Sequence, residues 1–163
     1  MKTVRPTDQQ LTAFMTGEHD GKPVFMLNML KFRDTAEYPG EYLAAHPEAA
    51  DRTGREAYEI YSKSTMPFLF GVGGQLIWMG DVALSLIGPG DETWDRIFLV
   101  YYPSRNALKK MLSDPRYLAT GVHRDAALED SRLIETKKVS VPRVMLIALR
   151  AFFRLKALFF GNT

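Results

Sequence analysis

Pro23-Val-Phe-Met-Leu-Asn-Met-Leu-Lys-Phe32 is an apolar run broken only by Asn28 and Lys31. Successive side chains of a strand point to opposite faces, so a strand of this composition buries both. Arg96-Ile-Phe-Leu-Val-Tyr-Tyr102 reads the same way. Two such segments are central strands of one sheet, with helices on one side and something else on the other.

Between them, Ala57, Ile60, Tyr61 and Ser64 recur at three- and four-residue steps, which predicts a helix over 55–69. Gly71 stops it, and Pro67 is expected to bend it or end it early. Gly73-Gly74 then opens a strand expected to run from Gln75 to about Ile87, with Gly88-Pro89-Gly90 as its turn. Beyond the second central strand, Pro103-Ser104 starts a helix carrying Ala107, Leu108, Met111 and Leu112 on one side. Asp114-Pro115 breaks it, a second helical piece covers about 116–128, and a more polar strand is expected over 131–138. Upstream, Thr7 and Gln10 form a capping box for a short helix that ends at Gly17 and props a sheet edge. Residues 33–53 form a polar excursion with one helical turn.

Strand, helix, strand, strand, helix, strand is the split βαβ, ferredoxin-like order. The expected fold is α+β, an antiparallel sheet with both long helices on one face. The other face is too apolar to stay wet, so two copies should pack face to face as a homodimeric α/β barrel.

Composition bounds the function. At 163 residues the chain suits one domain with a real core, and 46% hydrophobic residues exclude a disordered or low-complexity chain. Without cysteine there is no disulfide framework, thiol nucleophile, zinc ribbon or iron–sulfur cluster. A formal charge of +2 gives no argument for nucleic acid. The N-terminus lacks an apolar export signal, so a cytoplasmic protein is expected. Charge is nevertheless uneven. Residues 141–163 hold Arg143, Arg150, Arg154 and Lys156 and no acid, leaving 17 bases against 19 acids in the first 140 residues. The chain therefore divides into a domain over 1–140 and a basic, apolar C-terminal helix over 141–163.

Tyr101-Tyr102-Pro103-Ser104-Arg105, Leu112-Ser113-Asp114-Pro115-Arg116-Tyr117 and Arg124-Asp125-Ala126-Ala127-Leu128-Glu129-Asp130-Ser131-Arg132 resemble the domain of unknown function 1330 family. The Gly73-Gly74 entry and the strand from Phe25 to Arg33 are similar to it too. The resemblance covers about residues 23–136; the first helix and the basic tail lie outside it. It implies membership of the dimeric α/β-barrel superfamily. That superfamily includes cofactor-free monooxygenases, haem-dependent peroxidases, isomerases and cyclases, so the fold leaves the reaction open.

Side-chain chemistry narrows the field further. His19, His46 and His123 are never at metal-ligand spacing, so no metal is expected, and nothing in the sequence asks for a cofactor. Gly71-Val-Gly-Gly74 joins helix to strand, the wrong sense for a phosphate loop. Asn28, amid apolar residues, either fixes the sheet through hydrogen bonds or holds a ligand carbonyl. Tyr61, Trp78, Tyr102, Tyr117 and Arg124 are candidates to line a pocket for a small oxygenated or aromatic acid, with His123 as candidate general base. Each also has a structural alternative: tyrosines bridging core and water, and Arg124 pairing with Asp125, Glu129 or a partner. Asp81 is a further candidate acid, unless a bulge at Gly80 merely exposes it.

In the tail, Arg143, Arg150 and Arg154 fall within about 40° on a helical wheel. Residues 144–160 are short of the roughly 20 needed to span a bilayer. That leaves peripheral membrane contact through these arginines, or packing on protein. Two functions follow: a small-molecule-binding protein, or cofactor-independent enzyme, acting on a small organic acid or aromatic compound; or a non-enzymatic dimeric module attached by its tail to a membrane surface or protein partner.

Overall fold

The computed structural model describes residues 2–17, 21–138 and 143–160, without the side chains of 143, 146 and 157–160. Elements follow the order α1 (Asp8–Thr16), β1 (Val24–Phe32), α2 (Gly40–Ala45), a 3₁₀ turn (Pro47–Ala49), α3 (Gly54–Gly71), β2 (Gln75–Asp81), β3 (Arg96–Tyr102), α4 (Arg105–Leu112), α5 (Pro115–Ala119), α6 (Gly121–Ala127), β4 (Leu128–Thr136) and α7 (Arg143–Phe160). The sheet order is β2-β3-β1-β4, every pair antiparallel. This is the ferredoxin-like α+β fold, with a C-terminal helix added. The division between 140 and 141 lies outside the described residues.

The sheet register sorts side chains onto two faces. Val24, Met26, Leu30 and Phe32 of β1 and Val100 and Tyr102 of β3 are buried against the helices. Around Leu30 and Phe32 gather Tyr38, Ala57, Tyr58 and Ala126–Leu128; around Met26 and Val100 gather Leu108 and Met111. Phe98 packs against both clusters. On the opposite face, Leu27, Leu99 and Ile134 lie in register across three strands. Ile77, Trp78 and Ile134 there are about half exposed (49%, 56% and 45%). Among the described residues, neither core cluster includes any residue of α7.

Several boundaries differ from the sequence expectation. β2 ends at Asp81 rather than near Ile87. One further bond, from the Val82 N–H to the Asp95 carbonyl at 2.9 Å, closes the ladder, and the chain then leaves the sheet towards Gly88-Pro89-Gly90. Leu84, Leu86 and Ile87 stand exposed there. The second helical piece is two, α5 and α6, and β4 starts at Leu128 instead of 131. The excursion holds α2 and a 3₁₀ turn, more than one helical turn. Pro67 does not stop α3, which runs on to Gly71. It lacks the N–H that would bond the carbonyl four residues earlier, yet the helix continues for one more turn beyond it. Gly73, at φ 75°, then reverses the chain, and Gly74 donates its N–H to the Leu69 carbonyl at 2.8 Å.

The capping box at Thr7 and Gln10 is present as read. Ahead of it, residues 2–5 lie along β4. The Ser131 N–H donates to the Thr3 carbonyl at 2.8 Å, and Lys2 and Arg5 pair with Glu129 and Asp125.

Candidate functional site

The excursion after β1 is stitched to α6 by its backbone. Arg33 donates to the Ala127 carbonyl and Glu37 to the Ala126 carbonyl, each at 2.9 Å. Ala36 donates to the Arg52 carbonyl at 2.8 Å, closing the excursion on itself. Gly54 allows this closeness. A β-carbon there would lie 2.4 Å from the Ala127 carbonyl oxygen and 2.5 Å from that of Arg33. The stitching sets Tyr38 against His123, whose Nδ1 and the Tyr38 hydroxyl are 2.9 Å apart.

Around that pair the excursion builds an aromatic stack. Tyr42 lies parallel on Tyr38 at 4.7 Å between ring centroids, and His46 follows Tyr42 at 4.5 Å. The His123 ring stands edge-on to both tyrosines, 5.7 Å from each. Arg52 lies beside the Tyr38 and Tyr42 phenols and contacts the exposed Glu48 at 3.4 Å. Burial lowers the His123 pKa below the usual imidazole value, and the Arg52 guanidinium and the neighbouring His46 push the same way. Burial raises that of Tyr38, against the opposing pull of Arg52. Near neutral pH the site therefore holds an uncharged imidazole, a neutral phenol and a guanidinium. In the tautomer that donates Nδ1–H to the Tyr38 oxygen, Nε2 is the basic nitrogen.

Of the residues singled out in the sequence, only His123 belongs to this stack. Tyr61 and Tyr117 share a 2.8 Å hydroxyl–hydroxyl bond that joins the two core clusters. Burial holds the Tyr61, Tyr58 and Tyr102 hydroxyls firmly protonated. Asn28 donates its side-chain N–H to the Met26 carbonyl at 3.1 Å. Arg124 pairs with neither Asp125 nor Glu129; it donates to the Val4 carbonyl at 2.7 Å and the Ser131 hydroxyl at 3.0 Å, holding the N-terminal segment.

Trp78 is separated from the others by the sheet. The strand bulges between Leu76 and Trp78, not at Gly80, which sets Trp78 opposite Leu99 on the open face. Its indole covers Gly80, where a β-carbon would lie 2.7 Å from the ring. Asp81 is engaged rather than poised, accepting from Arg96 at 2.7 Å and Arg55 at 2.9 Å. The Arg96 bond foremost keeps its carboxyl below the usual range.

The sequence reading missed Tyr38, Tyr42, His46 and Arg52. A signal was there: Tyr38, Tyr42 and His46 recur every fourth residue, so they line one side of a turning backbone.

Two concavities border these features. One, of about 380 Å³, is lined by Arg33, Glu37 and Pro39 on one side and Gly121, Val122 and Asp125 on the other. Those residues flank Tyr38 and His123 in the chain, and the volume suits a small molecule. The other, about 660 Å³, lies on the open sheet face among Phe25, Ile77, Leu99 and Tyr101. Among the described residues, no group of three or more His, Asp or Glu is placed to hold a metal ion. His19 lies outside them.

Fold and site together define a ferredoxin-like α+β protein with a histidine–tyrosine cluster on its helical side. The chain belongs to the family of the RPA0582 protein of unknown function from Rhodopseudomonas palustris. Its crystal structure is 36% identical, with a TM-score of 0.76, over 86% of this chain and 100% of that one. The methylated form of RPA0582 aligns at 37% identity and TM-score 0.76, over 85% and 96% of the two chains. A dimeric protein of unknown function with a ferredoxin-like fold, from Bacteroides fragilis, aligns at 15% identity and TM-score 0.43, over 74% and 100%. No family model and no curated protein matches the chain.

Proposed function

We propose that this chain, a member of the domain of unknown function 1330 family by its sequence resemblance, is a homodimer that binds a small organic acid or aromatic compound at the Tyr38–His123 cluster. The supporting observation is the 2.9 Å contact between the Tyr38 hydroxyl and His123, beside Arg52. A guanidinium recognises a carboxylate, the half-exposed His46 ring at the end of the stack accepts an aromatic ring, and the neutral His123 imidazole accepts a proton. Where the ligand carries an acidic C–H or O–H, His123 acts as general base without a cofactor. Pairing of two open sheet faces supplies the dimer, since Leu99 and its neighbours form a continuous apolar surface.

Melting in the presence of small carboxylates, benzoate and 4-hydroxybenzoate among them, tests this reading. Ligand at about 100 times its Kd stabilises the native state by about 2.7 kcal/mol, a readily measured shift. The shift should occur in the native chain and vanish in His123→Ala and Arg52→Gln. An equal shift in both variants would place the ligand elsewhere, for instance among Asn28, Tyr61, Tyr102, Tyr117 and Arg124, or at Trp78 on the other face.

A second reading is favoured by α7, whose apolar side chains are exposed: the domain is a module attached through that helix to another surface.

A further inference from the structure

The second reading leaves open what α7 attaches to, and its composition answers. Val144, Met145, Ile147, Leu149, Phe152, Phe153 and Leu155 are each at least half exposed, Val144 at 79%. The helix carries Arg143, Arg150, Arg154 and Lys156, and residues 141–163 contain no acid. At 100° per residue, positions 150 and 154 lie within about 40° of each other, and the apolar positions occupy most of the remaining circumference. The side chain of Arg143 lies outside the described residues, so the basic side is argued from Arg150 and Arg154; Lys156 lies near the opposite side of the wheel, from which its long stem can carry the ammonium to the interface.

We propose that α7 lies in the plane of an anionic membrane surface. Phe152, Met145, Leu149 and Leu155 enter the acyl boundary, and Arg150 and Arg154 reach the lipid phosphates. Three observations select lipid. No helix among the described residues is long and apolar enough to cross a membrane, so the helix lies on the bilayer rather than through it. Its charge is uniformly positive, which calls for a negative surface. The rest of the chain is nearly balanced, 17 bases against 19 acids, so a second copy offers no strongly anionic complement.

Cosedimentation of the full chain with phosphatidylcholine vesicles, with and without about 30% phosphatidylglycerol, tests this. Binding should require the anionic lipid and weaken at least tenfold between about 0.1 M and about 0.5 M salt. Arg150→Glu with Arg154→Glu should weaken it by a similar factor, and Phe152→Ser with Phe153→Ser should also reduce it. A chain ending at residue 140 should show none. Absence of binding by the full chain would overturn the proposal, and so would equal binding to neutral vesicles or binding unmoved by salt. If that shorter chain also melts lower, α7 packs on protein instead. Carboxylate binding at His123 is read separately, so failure there leaves this result standing, and the reverse.

Discussion

Tyr38 and His123 are 85 residues apart in sequence, yet their side chains meet at 2.9 Å because two backbone hydrogen bonds fasten residues 33 and 37 to the end of α6. The contact sits where burial first, and then the charge of Arg52 and the neighbouring His46, disfavour a charged His123 imidazole. The native state thus binds less proton at His123 than the unfolded chain does. Native stability should be flat above about pH 7 and fall as pH drops through about 6.5 towards the lower native pKa. His123→Gln should remove that component of the pH dependence, seen by denaturant unfolding at pH 5, 6, 7 and 8.

The Tyr61–Tyr117 bond ties the two core clusters together. Either tyrosine changed to phenylalanine should cost about 1 kcal/mol, because the remaining buried hydroxyl loses its partner. The double variant should cost less than the sum, and a double-mutant cycle reads that coupling directly. Strict additivity would show that the bond contributes nothing.

Much of this was legible in the sequence, and the reason is periodicity. Two strands apolar on both faces, a helix at three- and four-residue steps and a capping box at Thr7 each follow from a local pattern, and they assemble into one topology. The site was less legible. His123 stood out as a titratable group, but Tyr38, Tyr42, His46 and Arg52 lie in an excursion whose shape depends on hydrogen bonds to a helix about 90 residues away. No local pattern encodes that distance. Trp78 was misplaced relative to the tyrosines for a related reason: one bulged residue flips a strand's faces, and the bulge falls between Leu76 and Trp78.

Gly54 is where the excursion comes closest to α6. Gly54→Ala would force a β-carbon to within 2.7 Å of three backbone atoms of Arg33 and Ala127, none of which can swing aside. A loss of about 1–3 kcal/mol is expected, with the Tyr38–His123 contact disturbed along with it. Urea unfolding measures the first, and the His123 pKa, rising towards its ordinary value, reports the second.

The open sheet face gives the proposed dimer its test. Leu99 lies on that face opposite Leu27 and Trp78, whereas Val100 is 6% exposed and packs beneath the helices. Leu99→Asp should therefore give a folded monomer by light scattering at micromolar concentration, and Val100→Asp should unfold the chain. A native chain that is itself monomeric would contradict the paired-sheet arrangement.

The claim that a small acid docks at the Tyr38–His123 cluster is tested most directly by nuclear magnetic resonance of the His123 ring during titration with benzoate. The His123 resonances should move and saturate, the His123 pKa should rise as a carboxylate settles beside it, and Arg52→Gln should abolish both effects. Benzoate binding that shifts other resonances while leaving His123 and its pKa untouched would contradict it.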